Sequence, residues 1–301
     1  MKTKPLIEQH IHGCFGIDFN KASVNDMLHV SQMLSKASVG GFFPTIVTDS
    51  IENTQRAINV IKTAAKQVEK GCAKILGIHL EGIFLNKEKK GIHNPVFFLE
   101  PTIDNYRLIE DDFIKIVTLA PELNVDLIGY LNSKGVKVQA GHCVGSDLSG
   151  CSGVTHLFNA MSGINHREPS TALSALVNDD IYTEIIADGV HVSDDALKLV
   201  FKAKPKDKIL LVSDCLPCAY SGKKVFVFAG EKIYYDEVNN RATSAAGTLA
   251  GSTSLLIDIV KRLLRADLFD AQYIENPYNY HNIDIDGTID WDEMFDKKII
   301  K

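Results

Sequence analysis

Short runs of apolar, often β-branched residues recur along the chain and alternate with longer amphipathic segments. Parallel strands that are buried on both faces have this composition, and the helices between them show a 3.6-residue period. Eight such strands joined by helices predict an α/β fold, a TIM-like (β/α)8 barrel. The predicted strands are LIEQHIHG, GGFFPTIVT, AKILGIHLEG, IKIVTLAPE, VKVQAGHCV, GVTHLFNAM, YTEIIADGVHV and DKILLVSDCL.

Two of the segments between the strands carry a clear helical pattern. NDMLHVSQMLSKAS predicts the first helix of the barrel. IENTQRAINVIKTAAKQVEKG predicts the second, because Ala57, Ile61 and Ala64 recur at helical spacing. Gly71 then supplies a stop signal.

The pattern changes after the eighth strand. GKKVFVFAGEKIYYDEVNNRATS predicts a strand, a turn at VNN and a second strand, and GTLAGSTSLLIDIVKRLL predicts a return to helix. The final stretch, ENPYNYHNIDIDGTIDWDEMFDKKIIK, alternates and is rich in turn residues. We therefore predict a barrel domain over residues 1–265 and a short β-type appendage over 266–301.

Composition narrows the classes of partner and compartment. The 301 residues are 45% hydrophobic and 23% charged, which is typical of a globular protein. No apolar run approaches the roughly 20 residues of a membrane helix, and the amino end lacks the pattern of a secretory signal. The net charge of -6 argues against nucleic acid as a partner. With six scattered cysteines, the composition predicts a cytoplasmic protein with reduced thiols and no membrane partner.

Histidines and acidic residues fall at the carboxyl ends of the predicted strands. His10 and His12 are two positions apart on one strand, so both imidazoles point to the same face. Each residue alone has an ordinary explanation, such as a hydrogen-bonded core histidine or a helix-capping acid. Because barrel strands converge on one rim at these ends, their common placement favours a metal site. The six residues are His10, His12, Glu81, His142, His156 and Asp214.

The residue types of this set indicate its chemistry. Neutral imidazoles with a carboxylate suit a divalent ion such as zinc or iron(II), with positions left open for water and substrate. Such an ion lowers the pKa of bound water. Asp214 would act as the general base that takes the proton of the water and returns it to a leaving amine. The residues thus predict hydrolysis of an amide or an ester.

Eight motifs follow one another between residue 8 and about residue 255. They are EQHIHGCFGIDF, GFFPTIVT, GIHLEGIFLNKEKKGIHNP, VTLAPE, THLFNAMSGINHREPS, IADGVHV, LVSDCLPCA and GTLAGS. In this order they resemble the N-acetylglucosamine-6-phosphate deacetylase family of the amidohydrolase superfamily. The combination is far more specific than a single H-x-H. The resemblance implies hydrolysis of the N-acetyl amide of N-acetylglucosamine 6-phosphate to glucosamine 6-phosphate and acetate.

The resemblance also implies where metal binds. It assigns one ion to Glu81, His142 and His156. A second ion is implied at His10 and His12, both of which this chain keeps. The expected cofactor is therefore one or two divalent ions, with Zn or Fe favoured by the donor set.

Catalytic and substrate-binding roles follow from the same resemblance. It implies that Asp214 is the acid/base and that His93 polarises the acetyl carbonyl. In relatives, the arginine that corresponds to Arg167 reaches into the site of the neighbouring subunit, so a homodimer is expected. The implied sugar-phosphate ligands are the backbone groups of Asn159 and Ala160, with Arg167 and His191.

Two departures from the family pattern modify the expected fold. Relatives carry a strand-rich segment before the H-x-H, whereas this chain begins almost at the first barrel strand. The amino-terminal half of the usual small β-sandwich is therefore predicted to be absent. Only CVGSDLSGCSGVT separates His142 from His156, too short a stretch for a full crossover helix, so the barrel is predicted to be thinner there.

Two other functions remain open from the sequence. One is hydrolysis of a related amide, such as N-acetylgalactosamine 6-phosphate or a cyclic amide. The other is a catalytically degenerate homologue that binds sugar phosphate without turnover. The six intact histidine and acidic positions favour an enzyme over a binding protein.

Overall fold

Eight parallel strands form the barrel sheet in the computed structural model, which describes residues 1–294, and a ninth strand of two residues, Lys74–Ile75, pairs with the second of them. Each strand pairs with the next in the sequence, and Ile11 forms a parallel bridge with Cys215 where the first and last strands meet. The nearly closed barrel confirms the predicted fold. The strands are β1 (Leu6–Ile11), β2 (Val39–Val47), β3 (Ile78–Glu81), β4 (Ile114–Leu119), β5 (Lys137–Ala140), β6 (Gly153–Val154), β7 (Tyr182–Ile185) and β8 (Ile209–Leu211).

Helices surround the barrel and bury one apolar face each against it. Serine side chains cap several of them: Ser23 accepts a hydrogen bond from the backbone N–H of Asp26, for example. The two helices predicted from periodicity are both present. The helices are α1 (Val24–Lys36), α2 (Ile51–Ala65), α3 (Ile103–Arg107), α4 (Asp126–Ser133), α5 (Thr171–Val177), α6 (Asp194–Ala203), α7 (Leu256–Arg265), α8 (Gln272–His281) and α9 (Trp291–Met294).

The connection between β5 and β6 lacks a helix. Residues 141–152, all of which the structure describes, form a loop, as their length predicts. Leu148 and Cys151 are buried from this loop and take the place of a helix face. None of the helices among residues 1–294 has the length and apolar composition of a membrane span.

A separate antiparallel sheet lies over the carboxyl-end rim of the barrel. The predicted strand-turn-strand is confirmed, because Ile233 pairs with Ser244 across a turn that contains VNN. Phe228 and Ile233 from this sheet form a second apolar cluster with Val47 and Leu216 of the barrel. The strands are β9 (Val225–Phe228), β10 (Glu231–Asp236), β11 (Arg241–Ser244) and β12 (Leu249–Gly251).

Helix α8 covers the opposite, amino-terminal end of the barrel. The Asn276 side-chain amide donates to the carbonyl oxygens of Lys206 and Ile209, both at 2.7 Å. The Tyr278 hydroxyl donates to the Pro5 carbonyl at 2.8 Å. These bonds satisfy backbone carbonyls that the strand starts would otherwise leave unpaired.

The β-type appendage predicted after residue 265 is wrong in its secondary structure. Residues 266–294 contain α8, α9 and only one two-residue strand, Ile289–Asp290, which pairs with Lys2–Thr3. Asn and Pro in this stretch predict turns, but burial of Tyr273 and Ile274 against the main core outweighs that local preference. Residues 295–301 of the predicted appendage lie outside the described residues. The division of the chain at residue 265 stays a prediction.

Candidate active site

The six predicted ligand and acid/base residues converge at the carboxyl-end rim. Glu81 lies at their centre and uses its two carboxylate oxygens differently. Its Oε1 lies 3.2 Å from His142 Nε2 and 2.9 Å from His156 Nε2. Its Oε2 lies 3.3 Å from His10 Nε2 and 2.9 Å from His12 Nε2. One carboxylate thus connects two histidine pairs.

Asp214 completes the side of the site formed by the first strand. Its Oδ1 lies 3.2 Å from His12 Nε2 and 3.5 Å from His10 Nε2. Its backbone N–H donates to the His10 carbonyl at 2.8 Å, which fixes the end of β8 against β1. Asp214 is therefore held by the same contact that nearly closes the barrel.

Backbone conformation turns three of these side chains inward. His142, His156 and Asp214 follow their strands with φ values of +49°, +33° and +50°. Residues other than glycine rarely adopt this left-handed region, and such strain concentrates at functional sites. The bend directs each side chain over the barrel axis.

The hydrogen bonds of the imidazoles test whether a cation fits. His10 Nδ1 lies 3.0 Å from Glu184 Oε2, and His142 Nδ1 lies 2.8 Å from the Lys89 carbonyl oxygen. Because both partners are acceptors, each Nδ1 carries a hydrogen, which leaves each Nε2 as the nitrogen that offers its lone pair when a cation is bound. These lone pairs face other acceptors, with His142 Nε2 only 3.2 Å from His156 Nε2. A divalent cation satisfies this donor set, so the residues present fit the metal.

The carboxyl groups of the site favour the ionised state. Burial would raise the pKa of Glu81, but His10 and the other imidazoles hold that pKa well below its ordinary value. Burial also opposes ionisation of Asp214, yet the attraction of His10 and His12 lowers its pKa overall. Two ionised carboxylates therefore face the four imidazoles.

His93 enters the site from the loop after β3. Its Nδ1 lies 2.8 Å from Thr48 Oγ1, and that oxygen accepts the Ile83 backbone N–H at 3.0 Å. When the Thr48 hydroxyl donates to Nδ1, the ring hydrogen of His93 is at Nε2, the nitrogen 3.7 Å from Glu81 Oε2. Burial, followed by the nearby His142, keeps the pKa of His93 well below its usual value. His93 is a neutral donor.

A cavity of about 300 Å³ opens beside these residues. Its wall on one side is Phe228 of the β9–β12 sheet, whose ring centroid lies 5.4 Å from that of His12. Thr248 and strand β12 (Leu249–Gly251) of this sheet also line the cavity. The volume and the mixture of polar and apolar lining suit a small polar ligand with a compact apolar group.

Three of the predicted sugar-phosphate ligands line this cavity. Asn159 and Ala160 do so from the loop after β6, and His191 from the loop after β7. His191 Nδ1 lies 2.8 Å from Asp188 Oδ2. Burial disfavours a charged ring, but the Asp188 carboxylate raises the pKa of His191 overall. The Asp188 carboxylate therefore orients His191 and favours its protonated form.

Arg167 does not line the cavity of its own chain. It lies in the exposed loop after Ala160, and its backbone N–H donates to Asn165 Oδ1 at 3.0 Å. Its predicted role in the site of a neighbouring subunit stays a prediction.

Four residues at or behind the site were not predicted from the sequence: Thr48, Glu184, Asp188 and Phe228. Glu184 had a detectable signal, because it is an acidic residue inside the apolar strand YTEIIAD. Such a strand is buried on both faces, so a charged member needs a specific partner. Phe228 had none, since its contact depends on how a separate sheet folds back.

Comparison with known proteins places the chain among deacetylases. No protein-family model matches it. It is 34% identical to N-acetylglucosamine-6-phosphate deacetylase of Bacillus subtilis over 82% of this chain and 65% of that protein. It is 32% identical to the Bos taurus enzyme of the same name, over 87% of this chain and 68% of that protein. It is also 29% identical to N-acetylgalactosamine-6-phosphate deacetylase of Escherichia coli, over 85% and 70%.

A solved structure agrees with this placement. N-acetylglucosamine-6-phosphate deacetylase from Pasteurella multocida superposes with a TM-score of 0.84 at 27% identity, covering 94% of this chain and 79% of that one. The chain spans about two thirds of the length of the Bacillus and bovine relatives, 65% and 68%. On the strength of the bovine match and the shared fold, this chain belongs to the N-acetylglucosamine-6-phosphate deacetylase family.

Proposed function

We propose that the protein hydrolyses the N-acetyl amide of N-acetylglucosamine 6-phosphate, giving glucosamine 6-phosphate and acetate. The observation that carries the proposal is the convergence of four imidazoles on the two oxygens of Glu81. The named activity of the relatives supports the choice of substrate.

We propose that Asp214 is the acid/base of this reaction. A divalent cation held at the Glu81 oxygens would supply Lewis acidity that eases loss of a proton from water. Asp214 Oδ1 faces both His10 and His12, so it borders the position where water would lie. It accepts the proton and passes it to the nitrogen of the breaking amide.

The acetyl carbonyl would lie beside His93. Its Nε2–H faces the cavity, because Thr48 occupies Nδ1. This hydrogen bond stabilises negative charge on the carbonyl oxygen as the amide is attacked. The neutral ring performs this role without taking the proton that Asp214 handles.

The donor set is compatible with one or two ions. Glu81, His142 and His156 would hold one ion, and His10 with His12 would hold a second. Nitrogen and oxygen donors of this kind suit Zn²⁺ or Fe²⁺.

We propose that the phosphate is bound by groups from two subunits. Asn159, Ala160 and His191 supply one side within the cavity. Arg167, exposed on its loop, would reach the cavity of a second copy in a homodimer. A guanidinium binds phosphate oxygens in a bidentate manner, which makes it suited to this contact.

The central experiment is acetate release by the metal-loaded protein. N-acetylglucosamine 6-phosphate, its galactosamine isomer and unphosphorylated N-acetylglucosamine are compared at equal concentration. We expect fastest turnover of the first compound and loss of turnover on treatment with a chelator. Metal-loaded protein that releases no acetate from any of the three would refute the proposal.

Two further elements complete it. The galactosamine isomer is the second candidate substrate, favoured by the relationship to the Escherichia coli enzyme. We place the reaction in the cytoplasm, in keeping with buried free thiols such as Cys215 and Cys218.

A further inference from the structure

Behind the rim, the barrel buries a group of polar side chains. Gln9, His79, Thr118, Gln139, Thr155 and Glu184 are all buried there at or below 1% exposure. Glu184 is the charged member of this group, and a buried charge is retained only where its partners compensate its desolvation. The contacts of Glu184 therefore identify the groups that compensate its buried charge.

Glu184 contacts two of the histidines that face Glu81. Its Oε2 lies 3.0 Å from His10 Nδ1 and 3.2 Å from the backbone nitrogen of His156. The first contact sets which nitrogen of His10 carries the hydrogen. The second holds the backbone of His156 in its left-handed conformation, at a φ of +33°.

The other oxygen of Glu184 leads away from the site. The Gln9 side-chain nitrogen donates to Glu184 Oε1 at 2.6 Å. Gln9 Oε1 in turn lies 2.9 Å from His281 Nε2, so that nitrogen is the donor. His281 is the last residue of α8, at the opposite end of the barrel.

His281 is well suited to anchor this chain of hydrogen bonds. Burial lowers its pKa to about 3, so the ring is neutral and its donor remains fixed at Nε2. Its ring packs against Phe43 of β2, with 4.4 Å between the ring centroids. The ring is therefore restrained from both its apolar face and its polar edge.

We propose that Glu184 is a positioning residue for the metal site, and that Gln9 and His281 hold it in place from the far end of the barrel. The inference rests on the proposed metal-dependent function. Glu184 fixes His10 in the tautomer whose Nε2 lone pair faces the cation, and it strengthens that nitrogen as a donor. Loss of such a partner weakens metal affinity by about 10- to 100-fold.

The test measures Zn²⁺ affinity by chelator competition, without substrate. Glu184→Gln keeps the size of the side chain but removes the charge and replaces one of the two acceptor oxygens with an amide nitrogen, so we expect about 10-fold weaker binding. His281→Ala acts on Glu184 only through Gln9, two hydrogen bonds away, and we expect a smaller loss of Zn²⁺ affinity, of about 3-fold. With Co²⁺ bound, the ligand-field absorption should shift in Glu184→Gln, which reports changed geometry around the ion.

Asn276→Ala is the matched control, since Asn276 is also buried on α8 and donates two hydrogen bonds that do not lead to His10. We expect it to lower the thermal midpoint and leave Zn²⁺ affinity unchanged. Wild-type affinity in Glu184→Gln would overturn the inference. If His281→Ala alone matches wild type, the role claimed for α8 is overturned. Wild-type protein that binds no Zn²⁺ would instead overturn the proposed function.

Discussion

The two ends of the barrel differ in the residues that form them and in their backbone strain. At the carboxyl end, buried imidazoles and carboxylates face one another, and three of these residues have left-handed backbone that costs on the order of 1–3 kcal/mol each. At the amino-terminal end, Tyr278 and Asn276 of α8 satisfy backbone carbonyls, and Trp291 is buried with its indole N–H donating to Thr3 at 2.9 Å. The carboxyl end thus holds groups under strain, whereas the amino-terminal end supplies stabilising contacts.

The largest effect that separates the two ends is expected from Asp214→Asn. The amide cannot accept the proton, so turnover should fall by about two to four powers of ten. The metal content and the thermal midpoint should stay near those of wild type. Near-normal acetate release would remove Asp214 from the acid/base role.

His156→Ala tests the ligand side of the same end. It removes the imidazole 2.9 Å from Glu81 Oε1, so the purified protein should hold less metal. Elemental analysis after dialysis measures this directly. Metal content equal to that of wild type would refute the assignment of His156 as a ligand.

Asn276→Ala perturbs the opposite end. It leaves the part-buried Lys206 carbonyl and the buried Ile209 carbonyl without their donor, which should cost about 1–3 kcal/mol of unfolding free energy. The kcat/KM of the folded fraction should be unchanged. A loss of kcat/KM with no loss of stability would contradict the division of roles between the two ends.

The smallest effect is expected from Arg167→Ala. KM should rise for N-acetylglucosamine 6-phosphate and stay constant for the unphosphorylated sugar, because only the phosphate contact is lost. Lys202→Ala, which removes an exposed positive charge from α6, is the control. Equal effects on both substrates would contradict the phosphate contact.

The barrel could be predicted because its strands depend on local composition. Runs such as GGFFPTIVT are apolar over a length that only a buried strand accommodates, and the ligand histidines sit at fixed places relative to those runs. Their convergence then follows from the general geometry of parallel barrels. The sequence therefore predicts that these residues meet at the carboxyl-end rim of the barrel.

The helical state of α8 and the partners of Glu184 could not be predicted from the sequence. QYIENPYNYH contains Pro277 and two asparagines, which favour a turn in isolation, and packing beneath the barrel makes it a helix. As an acidic residue in an apolar strand, Glu184 signals that it needs a partner, but the pattern does not identify the partners, His10 and Gln9, which lie 174 and 175 residues away in sequence. Both depend on contacts that no local pattern encodes.

The bridge between Ile11 and Cys215 has a consequence for synthesis in the cell. The two residues are 204 positions apart in sequence (215 minus 11). At translation rates of about 5–20 residues per second, the last strand is therefore synthesised roughly 10 to 40 s after the first. His10 and His12 emerge first yet acquire a defined geometry among the last. Nascent chains therefore present exposed imidazoles long before they can discriminate among the cations of their surroundings.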